Sequence, residues 1–198
     1  MRRPTWRRAA VPVLALALLA GCTLGRAGSY RPSTLDEARR AEAAIWPLLE
    51  ALGYPLPAAG SSAACKIGLT VTRGAAINAA VHPGTREPCV HFTLALTDGA
   101  LARLGVEDLR AIFAHELGHI VLGHGGARNA LGRTEKEREA DQFAVELLKK
   151  LEPRYPGACR ALVGVLTMLA EQPGRVPWLS THPSPARRAE AARASCNR

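Results

Sequence analysis

The run His115-Glu116-Leu117-Gly118-His119 constrains this chain more than any other feature. Two imidazoles four residues apart project in one direction on a helix, where positions i and i+4 stack on the same face. The flanking residues agree with a helix. Leu109, Ile112, Phe113, Leu117, Ile120 and Val121 make one apolar stripe, and Gly123, Gly125 and Gly126 follow it. The spacing predicts a helix from about Val106 to Leu122. On it, His115 and His119 can supply two ligands of a tetrahedral ion, and Glu116 can take a proton from ion-bound water. The pattern points to zinc-assisted hydrolysis of a peptide bond. The ion would lower the water's pKa and polarise the scissile carbonyl, and Glu116 would pass the proton to the leaving amine.

A catalytic zinc site needs a third protein ligand. The long pattern with a further histidine would require Gly at 122 and His at 125, but those positions are Leu122 and Gly125. His124 falls one position early and reads as a polar residue at a helix C-terminus. The third ligand must then come from elsewhere, and the best candidates lie in the acidic run Glu135 to Asp141. There Glu137-x-x-Ala140-Asp141 resembles the E-x-x-A-D motif of the HtpX-like peptidases, the forty-eighth metallopeptidase family of the gluzincin clan.

That resemblance implies one Zn2+ per chain, with Glu137 as third ligand beside His115 and His119. It implies that Asp141, one turn later, fixes the tautomer of a ligand imidazole. Glu135 and Glu139 read as solvated charges with i,i+4 partners. Ser180-Thr181-His182-Pro183-Ser184 followed by Arg188 resembles the C-terminal signature of the same family. By that likeness His182 lies near the cleft and aids catalysis, and Arg188 is an ion-pair partner. Asn78-Ala79 is similar to the family's edge-strand dipeptide, which would hold substrate by β-addition. The likeness runs over about residues 35–195. One departure is the short spacing, with 17 residues between His119 and Glu137. It resembles the ImmA/IrrE-type peptidases and implies a more open cleft; those peptidases are mostly cytoplasmic and lack the Ser-Thr-His-Pro signature.

The N-terminus reads as a targeting segment rather than as fold. Arg2, Arg3, Arg7 and Arg8 precede an apolar stretch, Ala9 to Ala20, too short to span a bilayer. It ends in Leu19-Ala20-Gly21-Cys22, which resembles the lipobox of bacterial lipoproteins. The likeness implies cleavage before Cys22, lipidation of that residue and anchoring to a membrane. An ordinary secretory signal or a short anchor is the alternative. Thr23 in place of Asp resembles an outer-membrane sorting signal, with the domain facing the periplasm. Loss of residues 1–21 removes four arginines and lowers the formal net charge from +9 to +5. The remaining basic residues are scattered, without the aromatic-interleaved face of a nucleic-acid binder. Residues 22–33 read as a tether and 34–198 as the peptidase domain.

Apart from Cys22, four cysteines remain: Cys65, Cys89, Cys159 and Cys196. An even count in an exported chain points to two disulfides. Three pairings are possible; Cys65–Cys89 and Cys159–Cys196 are expected because each joins neighbouring elements. No C-x-x-C spacing supports a cysteine metal site.

The remaining pattern predicts an α+β fold, zincin-like and mostly helical, with a small three-stranded sheet. Thr34-x-x-Glu37 reads as a capping box for a first helix ending at Gly53, kinked or split at Pro47. Strands are expected over Lys66 to Thr72, Ala75 to Val81 and Cys89 to Leu96, with a turn at His82 to Thr85. A short helix near Asp98 to Leu104 precedes the histidine helix. Helices from Thr134, from Gly157 and after Pro185 complete the chain. The function expected is a lipid-anchored zinc endopeptidase acting on misfolded or unfolded envelope proteins. A zinc-containing chaperone or assembly scaffold with little turnover is the alternative.

Overall fold

The capping box at Thr34 starts the first helix. Thr34 Oγ1 accepts from the Glu37 N–H at 3.2 Å, and the Glu37 carboxylate accepts from the Thr34 N–H at 2.8 Å. A computed structural model describes residues 30–54, 67–84, 92–125, 132–171 and 184–198. In it α1 spans Leu35–Ala51 and buries Ala41, Ala44, Ile45, Leu48 and Leu49. A full Schellman turn ends it, with Gly53 at φ +76°, Gly53 N–H on Glu50 O and Tyr54 N–H on Leu49 O.

One helix runs through Pro47, not the two that a proline break predicts. Proline has no N–H for the carbonyl four residues back, here that of Ala43. Buried Arg110 supplies the substitute donor: its Nη2 bonds Ala43 O at 3.2 Å. A long-range side chain thus satisfies the carbonyl that Pro47 strands.

Among the described residues the sheet has four strands, not three. β1 (Tyr30–Arg31), β2 (Ile67–Thr72), β3 (Ala79–Pro83) and β4 (Phe92–Thr97) lie in the order β1-β2-β4-β3. β2 and β4 run parallel, with Leu69 beside Leu94 and Val71 beside Leu96. β3 is antiparallel to β4 at one edge, and β1 is antiparallel to β2 at the other. The extra strand falls within residues 22–33, read from sequence as tether. A two-residue strand has no period to detect. It is held from outside the sheet, because Arg31 bonds both Glu37 carboxylate oxygens (2.9 and 2.7 Å) and Asp98 Oδ1 (2.7 Å). His82 and Pro83, expected in a turn, close β3 instead.

α2 (Asp98–Arg103) follows β4 directly, capped by the Thr97 hydroxyl. α3 (Val106–Val121) is the central helix, packed against α1, α4 (Arg133–Leu151) and α5 (Ala158–Glu171). Its Leu109, Phe113 and Leu117 are completely buried, each worth about 1.5–3 kcal/mol of burial free energy. Val121, expected in that stripe, is exposed at the helix end. α4 begins at Arg133 behind Gly132, so Thr134 is not its cap. α6 (Pro185–Cys196) opens with proline in its first turn and packs on α5 and α4. A Cys159–Cys196 disulfide, Cα atoms 5.9 Å apart, ties α5 to α6 as expected. Cys65–Cys89 and Cys22 lie outside the described residues. Among the described residues no helix is long and apolar enough to cross a membrane.

Candidate metal centre

The inward face of α4 carries Glu137, Ala140, Asp141, Ala144, Leu147, Leu148 and Leu151. The two acids therefore continue the apolar stripe towards the helix start, which is why both are buried. α4 approaches α3 closely because Gly118 has no side chain: a Cβ there would stand 3.1 Å from both Cα and O of Ala140. The small residues of the two motifs face each other, and Glu137 stands one turn before that contact on α4.

Three side chains meet as a result. His115 Nε2 and His119 Nε2 stand 3.1 Å apart. Glu137 Oε2 is 3.2 Å from the first nitrogen, and its Oε1 is 3.3 Å from the second. The three donor atoms lie within 4.8 Å of one another. Two imidazoles and a carboxylate, converging at low exposure, are a donor set that suits zinc. Glu116, next to His115 on α3, is close enough to feel the charges of His115, His119, Glu137 and Arg188. Burial raises its carboxyl above the usual carboxylate range, against the pull of the two histidines. A carboxylate so placed accepts a proton readily.

Behind this trio lies a charged layer. Asp141 Oδ1 is 3.0 Å from His115 Nδ1. Arg188, on the buried stripe of α6 with Ala189 and Ala192, donates through Nε and Nη2 to the two Asp141 oxygens, both at 2.7 Å. Its Nη1 is 3.3 Å from Glu137 Oε2. Burial works against protonation of His115, but hydrogen bonds to Asp141 and Glu137 outweigh it and push the pKa up to about 9. Burial would raise Asp141, yet the Arg188 and His115 hydrogen bonds hold it below its ordinary value.

Asn78 precedes β3, and its N–H bonds Thr97 Oγ1 at 3.1 Å. Asn78 and Ala79 line an apolar cavity with His115, Ile112, Leu166 and Arg188, so the edge strand flanks one of the candidate ligands. His182 lies outside the described residues.

Two residues of the site carry no motif. His124 is buried, and its Nδ1 stands 2.8 Å from His119 Nδ1. Its Nε2 is 3.1 Å from Glu139 Oε2, so Glu139 is not simply a solvated charge. Glu135, by contrast, does pair at the surface with Arg138. The local signal for His124 is Gly123, whose left-handed φ of +69° turns the chain back over the helix end.

A family model described as Peptidase U49 matches residues 100–198. The chain belongs to the peptidase U49 family. The matched half holds His115, Glu116, His119, Glu137, Asp141 and Arg188, whereas α1 and the sheet lie outside it. Membership marks a peptide hydrolase whose substrates are proteins or peptides. It does not single out the HtpX-like group, a likeness that rests on the motifs. No curated protein and no solved structure gives a significant match.

Proposed function

We propose that this peptidase is a zinc-dependent endopeptidase of zincin-like design, anchored by lipid at Cys22. The observation that carries the zinc reading is the convergence of His115 Nε2, His119 Nε2 and both Glu137 oxygens at 3.1–3.3 Å. His115, His119 and Glu137 would hold the ion. When bound, zinc supplies a Lewis acid and an acidified water. Glu116 would act as general base towards that water and then as acid towards the leaving amine. Asp141 orients His115, and Arg188 holds Asp141 in turn. Edge strand β3, beginning at Ala79 beside Asn78, offers backbone groups to an extended substrate. His182, by the motif likeness, aids the reaction from the cleft.

The lipobox and Thr23 support a place on the periplasmic face of the outer membrane, where misfolded or unfolded envelope proteins would be the substrates. The HtpX-like motifs support the same quality-control role. To test the reading, the full-length protein in detergent is incubated with an unfolded protein, stripped with a chelator and reloaded with zinc. Cleavage should stop on stripping and return on reloading. Cleavage indifferent to metal would refute the zinc mechanism, and no cleavage at any loading would favour the scaffold alternative.

A further inference from the structure

Both candidate ligand imidazoles are held from behind at Nδ1, but by different groups. For His115 the group is a carboxylate, Asp141, at 3.0 Å. For His119 it is another imidazole, that of His124, at 2.8 Å. An imidazole that ligates through Nε2 carries its proton on Nδ1 and needs an acceptor there. His119 Nε2 faces His115 and Glu137, so its Nδ1–H points at His124 Nδ1. His124 can accept at Nδ1 only if its own proton sits on Nε2. That atom is 3.1 Å from Glu139 Oε2, which accepts it.

We propose that His124 and Glu139 are positioning residues, forming a relay His119–His124–Glu139 that fixes the tautomer and ring orientation of His119 for metal binding. This rests on the zinc site proposed above. The backbone is built for it: the Schellman turn at Gly123 puts the His124 N–H on His119 O at 2.9 Å. Lys136 Nζ then bonds His124 O at 3.2 Å, tying that turn to α4, which carries Glu139. His124 is not itself a ligand, because its near nitrogen meets the side of His119 away from His115 and Glu137.

The test uses the full-length protein in detergent, with zinc affinity measured by competition against a chromophoric chelator. The visible spectrum of the cobalt-substituted protein gives a second readout. His124→Phe removes the acceptor and should weaken zinc about 10- to 100-fold and change the cobalt spectrum. His124→Gln can accept from His119 and donate to Glu139, and should recover most of that loss. Glu139→Leu, which removes the acceptor, should weaken zinc about tenfold in the parent and cause no further loss in the His124→Phe background. If His124→Phe does not fold, the half-buried Glu139 carries the test, since its substitution leaves the core intact. Parent-like affinity and spectrum in His124→Phe, or in Glu139→Leu, would overturn the relay. A parent that binds no zinc would overturn the metal site itself, a distinguishable failure.

Discussion

Replacing Gly118 by alanine sets two effects of similar size against each other. In a helix interior alanine is favoured over glycine by about 1 kcal/mol. Here, however, the new Cβ would sit 3.1 Å from Cα and O of Ala140 and 3.2 Å from Phe143 Cδ1. Two of those neighbours are backbone, so α4 must move by a few tenths of an ångström. Overpacking of this kind costs about 1–3 kcal/mol. The net change is a destabilisation of roughly 0–2 kcal/mol. The larger effect falls on the metal. Glu137 stands on the same helix three residues before Ala140, and metal–ligand distances tolerate only about 0.2 Å. Gly118→Ala should therefore weaken zinc by about tenfold or more while lowering the unfolding free energy by no more than about 2 kcal/mol. Urea unfolding and chelator competition on the same sample measure the two separately. A variant stabilised by about 1 kcal/mol with parental zinc affinity would show that helix propensity wins and that the α3–α4 contact does not set the reach of Glu137.

Asp141→Asn should weaken zinc about 10- to 100-fold. It should also cost about 1–3 kcal/mol, because it takes the charge from one of the two carboxylates that Arg188 meets and leaves Glu137 as the other; chelator competition and denaturant unfolding report the two losses. Reduction of Cys159–Cys196 should lower stability by up to about 4 kcal/mol, the chain-entropy value for a loop of this length, seen as an earlier unfolding midpoint in reductant. The Arg31 hydrogen bond holds Glu37 down to a pKa of about 2, below its ordinary 4.5. A depressed carboxylate stabilises above its unfolded pKa, and that gain is lost as pH falls from about 4.5 through about 2. Screened by solvent it is worth about 1 kcal/mol. Glu37→Gln keeps the capping box and should flatten this acid arm in urea titrations taken at successive pH values.

How far the sequence could be read follows from the range of the interactions involved. His115, Glu116 and His119 needed only helical periodicity. Glu137 and Asp141 needed the motif likeness, and their i,i+4 spacing was enough to put them on one face of α4. The Cys159–Cys196 pair was legible because its two elements are neighbours. β1 was missed because two residues carry no pattern, and its tie to Glu37 and Asp98 exists only after folding. The uninterrupted α1 depends on Arg110 reaching a carbonyl 67 residues away, which local proline rules do not see. By sequence alone His124 and Glu139 look like end-of-helix and surface polar groups. Their link requires both the left-handed turn at Gly123 and the docking of α4, neither of which a single helix pattern encodes.

Catalysis by the proposed mechanism turns on one carboxylate, that of Glu116. Glu116→Gln is nearly isosteric and leaves His115, His119 and Glu137 in place. Zinc content and cleavage of an unfolded protein, measured on the same full-length preparation, should show one zinc per chain retained and cleavage reduced by at least about 100-fold. A Glu116→Gln protein that cleaves as fast as its parent would contradict the account.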